Sequence, residues 1–186
     1  MSYIDDAVTA TMGWEGSIPW MYLDSRGNVT VGCGQLLSNP ADACALPFQS
    51  AAGSGAATET DVTADFRRVK AMTPDQEAGF YHADTSPILS VTEMAWMLRT
   101  IVSSNDASLQ EAFAGWRTFP DSAKVALLDM EYNIGEGELL RGYPKMDAAI
   151  KAQDWRTAAA QCKRIGISAA RNNWTKQMFL AAVSTA

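Results

Sequence analysis

Residues 14–37 read WEGSIPWMYLDSRGNVTVGCGQLL. The stretch sets one glutamate, one aspartate and one threonine around a short segment of alternating apolar residues, with Gly27, Gly32 and Gly34 interleaved behind. Residues 20–23 and 28–33 predict two strands joined by the turn-forming Ser25-Arg26-Gly27. Period-two alternation puts Met21, Leu23, Val29, Val31 and Cys33 on an apolar face. Trp20, Tyr22, Asp24, Thr30, Gly32 and Gly34 fall on the other. That second face has the makings of a site wall, since it offers aromatics, a carboxylate and a hydroxyl, and its glycines let a ligand approach the backbone.

Working upstream, Ser2 and Asp5 stand at capping-box spacing before a helix predicted over residues 3–14. Ile4, Ala7, Val8, Thr11, Met12 and Glu15 recur at helical intervals, so Glu15 is expected to extend a buried stripe. Two carboxylates at different depths suit glycoside hydrolysis, in which one group holds a proton for the leaving oxygen and the other is ionised. Burial near Trp14 and Trp20 is expected to keep Glu15 protonated, while Asp24, beside a polar turn, stays charged.

Downstream, the Ala-, Ser-, Gly- and Thr-rich residues 41–60, including QSAAGSGAATET, predict an exposed flexible loop. Helices are predicted over 61–72, 91–102 behind Ser90 and Glu93, 121–134, 144–152, 154–164 and 168–183. Residues 74–86 show no periodicity. The segment DSAKVALLDMEYNI, apolar on nearly all sides and followed by Gly135, reads as a central buried helix, with GEG at 135–137 and Gly166 marking breaks.

The order Glu15, eight residues, Asp24, five residues, Thr30, then GCGQLL resembles the catalytic signature of the phage-type lysozymes, the family of the T-even bacteriophage lysozyme and related endolysins. ALLDMEYNIG at 126–135 is similar to that family's central helix, and DWRTAAAQC with GISAARNNWTKQMF resembles its C-terminal helices. The resemblance implies one α+β, mostly α domain: an N-terminal helix and hairpin lobe over about 1–45, an insertion over about 48–89, and a helical lobe over about 90–186. It also implies cleavage of the β-1,4 bond between N-acetylmuramic acid and N-acetylglucosamine in peptidoglycan, without metal or other cofactor. Glu15 would be the general acid, Asp24 the base or orienter of the attacking water, and Thr30 a holder of that water. The expected outcome is inversion. Leu36 and Tyr132 match glycan-contacting positions, and Arg171 matches a basic residue paired with the catalytic glutamate. Gln35 stands where the T-even enzyme carries a histidine, so an ion pair through that histidine is absent.

Composition bounds the partners. The 186 residues are long enough for a real core, and a net charge of −6 gives no reason to expect nucleic acid. No apolar run approaches the length of a membrane span, and the early residues lack a secretory pattern, so a soluble monomer made without a signal peptide is expected. Its place of action would be the bacterial periplasm or wall, reached by release as an endolysin or by injection as an antagonism toxin. In the second case an immunity protein is the natural partner. Cys33, Cys44 and Cys162 lack CxxC spacing and, with a single histidine, argue against zinc; buried free thiols are favoured over a Cys33–Cys44 disulfide.

Singly, each site residue has a plainer reading: Glu15 as a helix-end acid, Asp24 as a turn former, Thr30 as a strand former. Trp96, Trp116, Trp155 and Trp174 read as core or interface residues, His82 receives no role, and Arg67, Arg68 and Lys70 read as a solvated basic face. Two other functions fit the same residues. A lytic transglycosylase would need only Glu15, and a glycan- or protein-binding module would retain the fold without activity.

Overall fold

The computed structural model describes residues 2–51 and 55–184 and is mostly helical, with one antiparallel sheet of three strands, the α+β class expected. Helix α1 (Tyr3–Glu15) opens with the anticipated capping box: the Ser2 amide and hydroxyl donate to Asp5 Oδ2 at 3.0 and 2.9 Å. By contacts the chain divides into two compact units, one of residues 15–98 and one joining α1 up to Trp14 with the chain from Arg99 onward.

In the unit of residues 15–98, β1 (Ile18–Leu23), β2 (Val29–Gly32) and β3 (Gln35–Leu36) pair antiparallel in chain order. Tyr22 pairs with Thr30, Leu23 with Val29, Thr30 with Leu36 and Val31 with Gln35. Only β3 is new to the sequence reading, because two residues are too few to show alternation. The turn is closed by the Gly27 amide on the Asp24 carbonyl at 2.9 Å, with Gly27 at φ +74°, where a side chain would be strained.

The flexible loop expected over 41–60 is largely ordered. Asn39 caps α2 (Pro40–Cys44) by accepting from the Ala41 and Asp42 amides, with Pro40 in the first turn. Thr58 caps α3 (Glu59–Lys70), two residues earlier than the apolar periodicity indicated. Between them Gln49 bridges both Ala56 and Ile88; residues 52–54 of the QSAAGSGAATET segment lie outside the described residues. Buried Val62, Phe66 and Val69 line α3, which packs on β1 and β2. The aperiodic residues 74–86 contain a 3-10 turn, Ala78–Tyr81, packed on β1. Arg68 is no solvated charge: it donates to Asp65 Oδ1, the Tyr81 carbonyl and Ser86 Oγ at 2.9, 2.6 and 3.1 Å.

Helix α4 (Val91–Ala112) starts with the expected Ser90–Glu93 box but runs well past 102, and the division between units falls within it after Leu98. In the second unit follow α5 (Asp121–Ile134), α6 (Glu136–Arg141), α7 (Pro144–Lys151), α8 (Trp155–Gln161) and α9 (Ala169–Ala182). The expected break falls at Gly135, which alone separates α5 from α6; Glu136 and Gly137 already belong to α6. The run Ala123–Glu131 of α5 is buried throughout, as its all-round apolarity demanded, and α9 packs on both α5 and α8. Trp116, Phe119, Trp155 and Phe179 form a chain of rings 5.0–6.4 Å apart. Trp174 meets Trp14 edge to face at 5.9 Å, whereas Trp96, expected in a core or interface, is 64% exposed. The cysteines are free thiols; Cys33 and Cys162 are buried and Cys44 is half-buried.

Candidate active site

The hairpin builds the site from its turn outward. Asp24 follows β1 directly and folds its carboxylate over the turn: Oδ1 accepts from the Arg26 and Asn28 amides at 2.9 and 2.8 Å, and Oδ2 from the Asn28 side chain at 3.1 Å. Partial burial works to raise its proton affinity, but these donors and the Arg26 charge outweigh it and hold Asp24 below the usual carboxylate range. The turn therefore keeps Asp24 negative while leaving Oδ2 with acceptor capacity to spare.

Thr30 pairs with Tyr22 across the strands and with Leu36 on its other side, so pleating points all three to one face. Thr30 is 4% exposed, and its hydroxyl donates to the Asn28 carbonyl at 3.2 Å, leaving lone pairs to accept from a ligand or water. Leu36 is 49% exposed on that face. Gln35, on the opposite pleat, donates from Nε2 to the Leu36 carbonyl at 3.2 Å and so props the short strand.

Glu15 corrects the sequence reading. Ala7, Val8 and Thr11 are buried as the stripe predicted, yet Glu15 itself is exposed, because α1 ends there and Gly16 at φ +75° turns the backbone away.

Tyr22 connects the two acids. Its phenol is pushed up chiefly by burial and then by the charges of Asp24, Cys33 and Glu15, so both carboxylates lie within electrostatic reach of one side chain. Cys33 behaves alike: burial raises its thiol first, and Glu15 adds to it. Pattern reading put Tyr22 on the polar wall but missed Cys33 as a neighbour of Glu15, since Gly32 at φ +66° ends the strand and breaks the alternation.

The protein-family models and the curated proteins contain no match to this chain. Its function must be argued from the site alone.

Two expected residues lie in the other unit. Tyr132 is half-buried on α5. Arg171, on α9, is buried and holds Asp129 of α5, with Nε and Nη2 donating to Oδ1 at 3.1 and 2.7 Å. Arg164 reaches the same carboxylate from its Nη2 at 2.9 Å and donates to Thr175 Oγ1 at 2.6 Å. This buried cluster was invisible in sequence, because its members are scattered over 129–175 without periodic relation.

A second acid was also missed. Glu131 on α5 is 6% exposed, its Oε2 has no hydrogen-bond partner, and burial, followed by the charges of Glu136 and Asp106, pushes its pKa up to about 7. Among the described residues no three His, Cys, Asp or Glu side chains are grouped to hold a metal ion, and no helix is long and apolar enough to cross a membrane.

Proposed function

We propose that this chain is a peptidoglycan hydrolase, a cofactor-free muramidase with a phage-type lysozyme fold. The observation that carries the reading is the hairpin face itself: a carboxylate held ionised by its own turn, a buried hydroxyl on the same face, and a second carboxylate acting on the same tyrosine.

In the proposed reaction Glu15 gives its proton to the glycosidic oxygen as the bond to the anomeric carbon breaks. A water attacks that carbon from the opposite face and passes a proton to Asp24, while its second hydrogen points to a Thr30 lone pair. Both carboxyls end in exchanged protonation states and the configuration inverts, which calls for a separation of about 6.5–9.5 Å. Because Glu15 is exposed, water exclusion falls to the substrate: in this reading a glycan lying along the hairpin covers the carboxyl. Leu36 is a proposed glycan contact on the hairpin face, and Gln35 a support of that face. The net charge of −6 favours delivery by injection over attraction to an anionic wall, with an immunity protein as partner.

Digestion of purified peptidoglycan with mass spectrometry of the products tests this. The wild-type protein is expected to release fragments with reducing ends, and Glu15→Ala to lose activity by about 10² or more. Asp24→Asn should lose activity comparably, since an amide cannot take the proton from water. Products ending in 1,6-anhydro sugars would assign a lytic transglycosylase instead. Equal inactivity of wild type and Glu15→Ala, with both binding the wall, would assign a binding module.

A further inference from the structure

Residues 48–89 have no counterpart in the family resemblance, yet they are built onto the hairpin. The Leu89 amide donates to the Pro19 carbonyl, the Trp20 indole to the Ala78 carbonyl, and Lys70 Nζ to the Gly27 carbonyl, each at 2.8 Å. These bonds reach both the start of β1 and the turn at its end. Arg68 then fixes the arch from within, and fully buried Tyr81 donates its hydroxyl to the Thr73 carbonyl at 3.0 Å.

This framework displays two rings on its outside. Phe80 is 52% exposed, and exposed His82 lies over the Trp20 ring, with centroids 4.2 Å apart and planes tilted by 38°. A solvent-facing phenylalanine beside an exposed imidazole, on a backbone secured by buried polar bonds, contributes nothing to the core. Such surfaces mark interaction sites. Trp20 and Tyr22 are both half-buried, and an irregularity in the β1–β2 pairing between Ile18 and Tyr22 sets Trp20 just ahead of the regular register that carries Tyr22 and Thr30. Trp20 lies four residues before Asp24, a span of up to about 13 Å of extended chain. That reach exceeds a single sugar ring.

We infer that Trp20, His82 and Phe80 form an added glycan subsite, at which an N-acetylated sugar ring away from the scissile bond lays its apolar C–H face on the His82 and Phe80 rings. The inference rests on the muramidase reading and specifies how the insertion serves it. Phe80 and His82 flank buried Tyr81 at the turn packed against β1, the strand that leads to Tyr22 and Asp24. The Trp20 N–H is already committed to Ala78, so the indole acts as a rigid floor beneath His82.

His82 is the only histidine, which makes its ring signals unambiguous by NMR. Peptide-free glycan, as an octasaccharide and as a disaccharide, is titrated into the full-length Glu15→Ala protein. Alongside, KM and kcat on the octasaccharide are measured for wild type, His82→Ala and Phe80→Ala, with backbone spectra confirming that both surface variants fold. The octasaccharide is expected to shift the His82 signals and the disaccharide to leave them still. Each variant should raise KM by about three- to tenfold, the size of one aromatic contact, with the loss in KM rather than kcat. Unmoved His82 signals with saturating octasaccharide, while wild type still cuts it, overturn the subsite and leave the muramidase standing. Failure of the wild type either to cut or to bind the octasaccharide defeats the muramidase reading, and the subsite with it.

Discussion

Glu131→Gln should make the protein more stable at alkaline pH and leave it unchanged in acid. Glu131 sits within the buried run of α5, 6% exposed, with Oε2 unbonded and with Glu136 and Asp106 as its charged neighbours. Its pKa rises from 4.5 to about 7 on folding, chiefly through burial. Below 4.5 both folded and unfolded chains hold the proton, and the group has no net effect. Between 4.5 and about 7 the folded chain still holds it and the unfolded chain has released it, so stability falls as pH rises. Each unit of pH across that window removes about 1.4 kcal/mol, and the loss levels off near 3 kcal/mol, roughly, once the folded form also ionises. Glutamine keeps the shape without the charge. Urea unfolding of the full-length protein, followed by tryptophan fluorescence at several pH values, reads the difference between the two proteins, in which the other titrating groups cancel. The variant should match wild type at pH 4.5 and exceed it by about 3 kcal/mol at pH 8. A difference that stays flat with pH, or a less stable variant at pH 8, refutes the argument.

Asp129→Ala should cost about 3–5 kcal/mol, read by the same unfolding experiment, because it removes the buried carboxylate that Arg164 and Arg171 both pair with; a loss under about 1 kcal/mol would show that the charges find compensation elsewhere. Asp24→Asn should destabilise the hairpin unit at neutral pH. The depressed carboxyl adds stability above its unfolded value, and this is lost as pH falls through the folded one, so wild type and variant should converge in strong acid.

Much of the local structure was legible because it rests on neighbours in sequence. The Ser2–Asp5 and Ser90–Glu93 boxes, the Asp24–Asn28 turn and the extent of α5 each follow from residue types a few positions apart. Glu15 marks where such reasoning fails. Helical spacing shows which way a side chain points, but α1 stops at that residue, and whether anything covers the last position is a tertiary matter. The ordered arch was hidden for a related reason. Its stability comes from Arg68 bonding backbone and hydroxyl groups over a dozen residues away, and from Tyr81 buried within an aperiodic stretch. The short helix α2 was masked by alanines that read as loop, although Asn39 and Pro40 together form a start signal.

The two carboxylates of the proposed site reach their working states by different routes. Asp24 is prepared in advance: two backbone amides and a side-chain amide converge on it in a turn that the chain forms locally, so its charge does not wait for substrate. Glu15 is exposed at a helix end, and in the proposed reaction a sugar chain on the hairpin face completes its surroundings. An acid finished by its own substrate needs that substrate held firmly along several rings, because a glycan that lifts readily also readmits water. The inserted arch answers that need. It is tied to the start of β1 and to the turn at its end, and in the proposed subsite its exposed rings would hold the strand away from the bond to be broken.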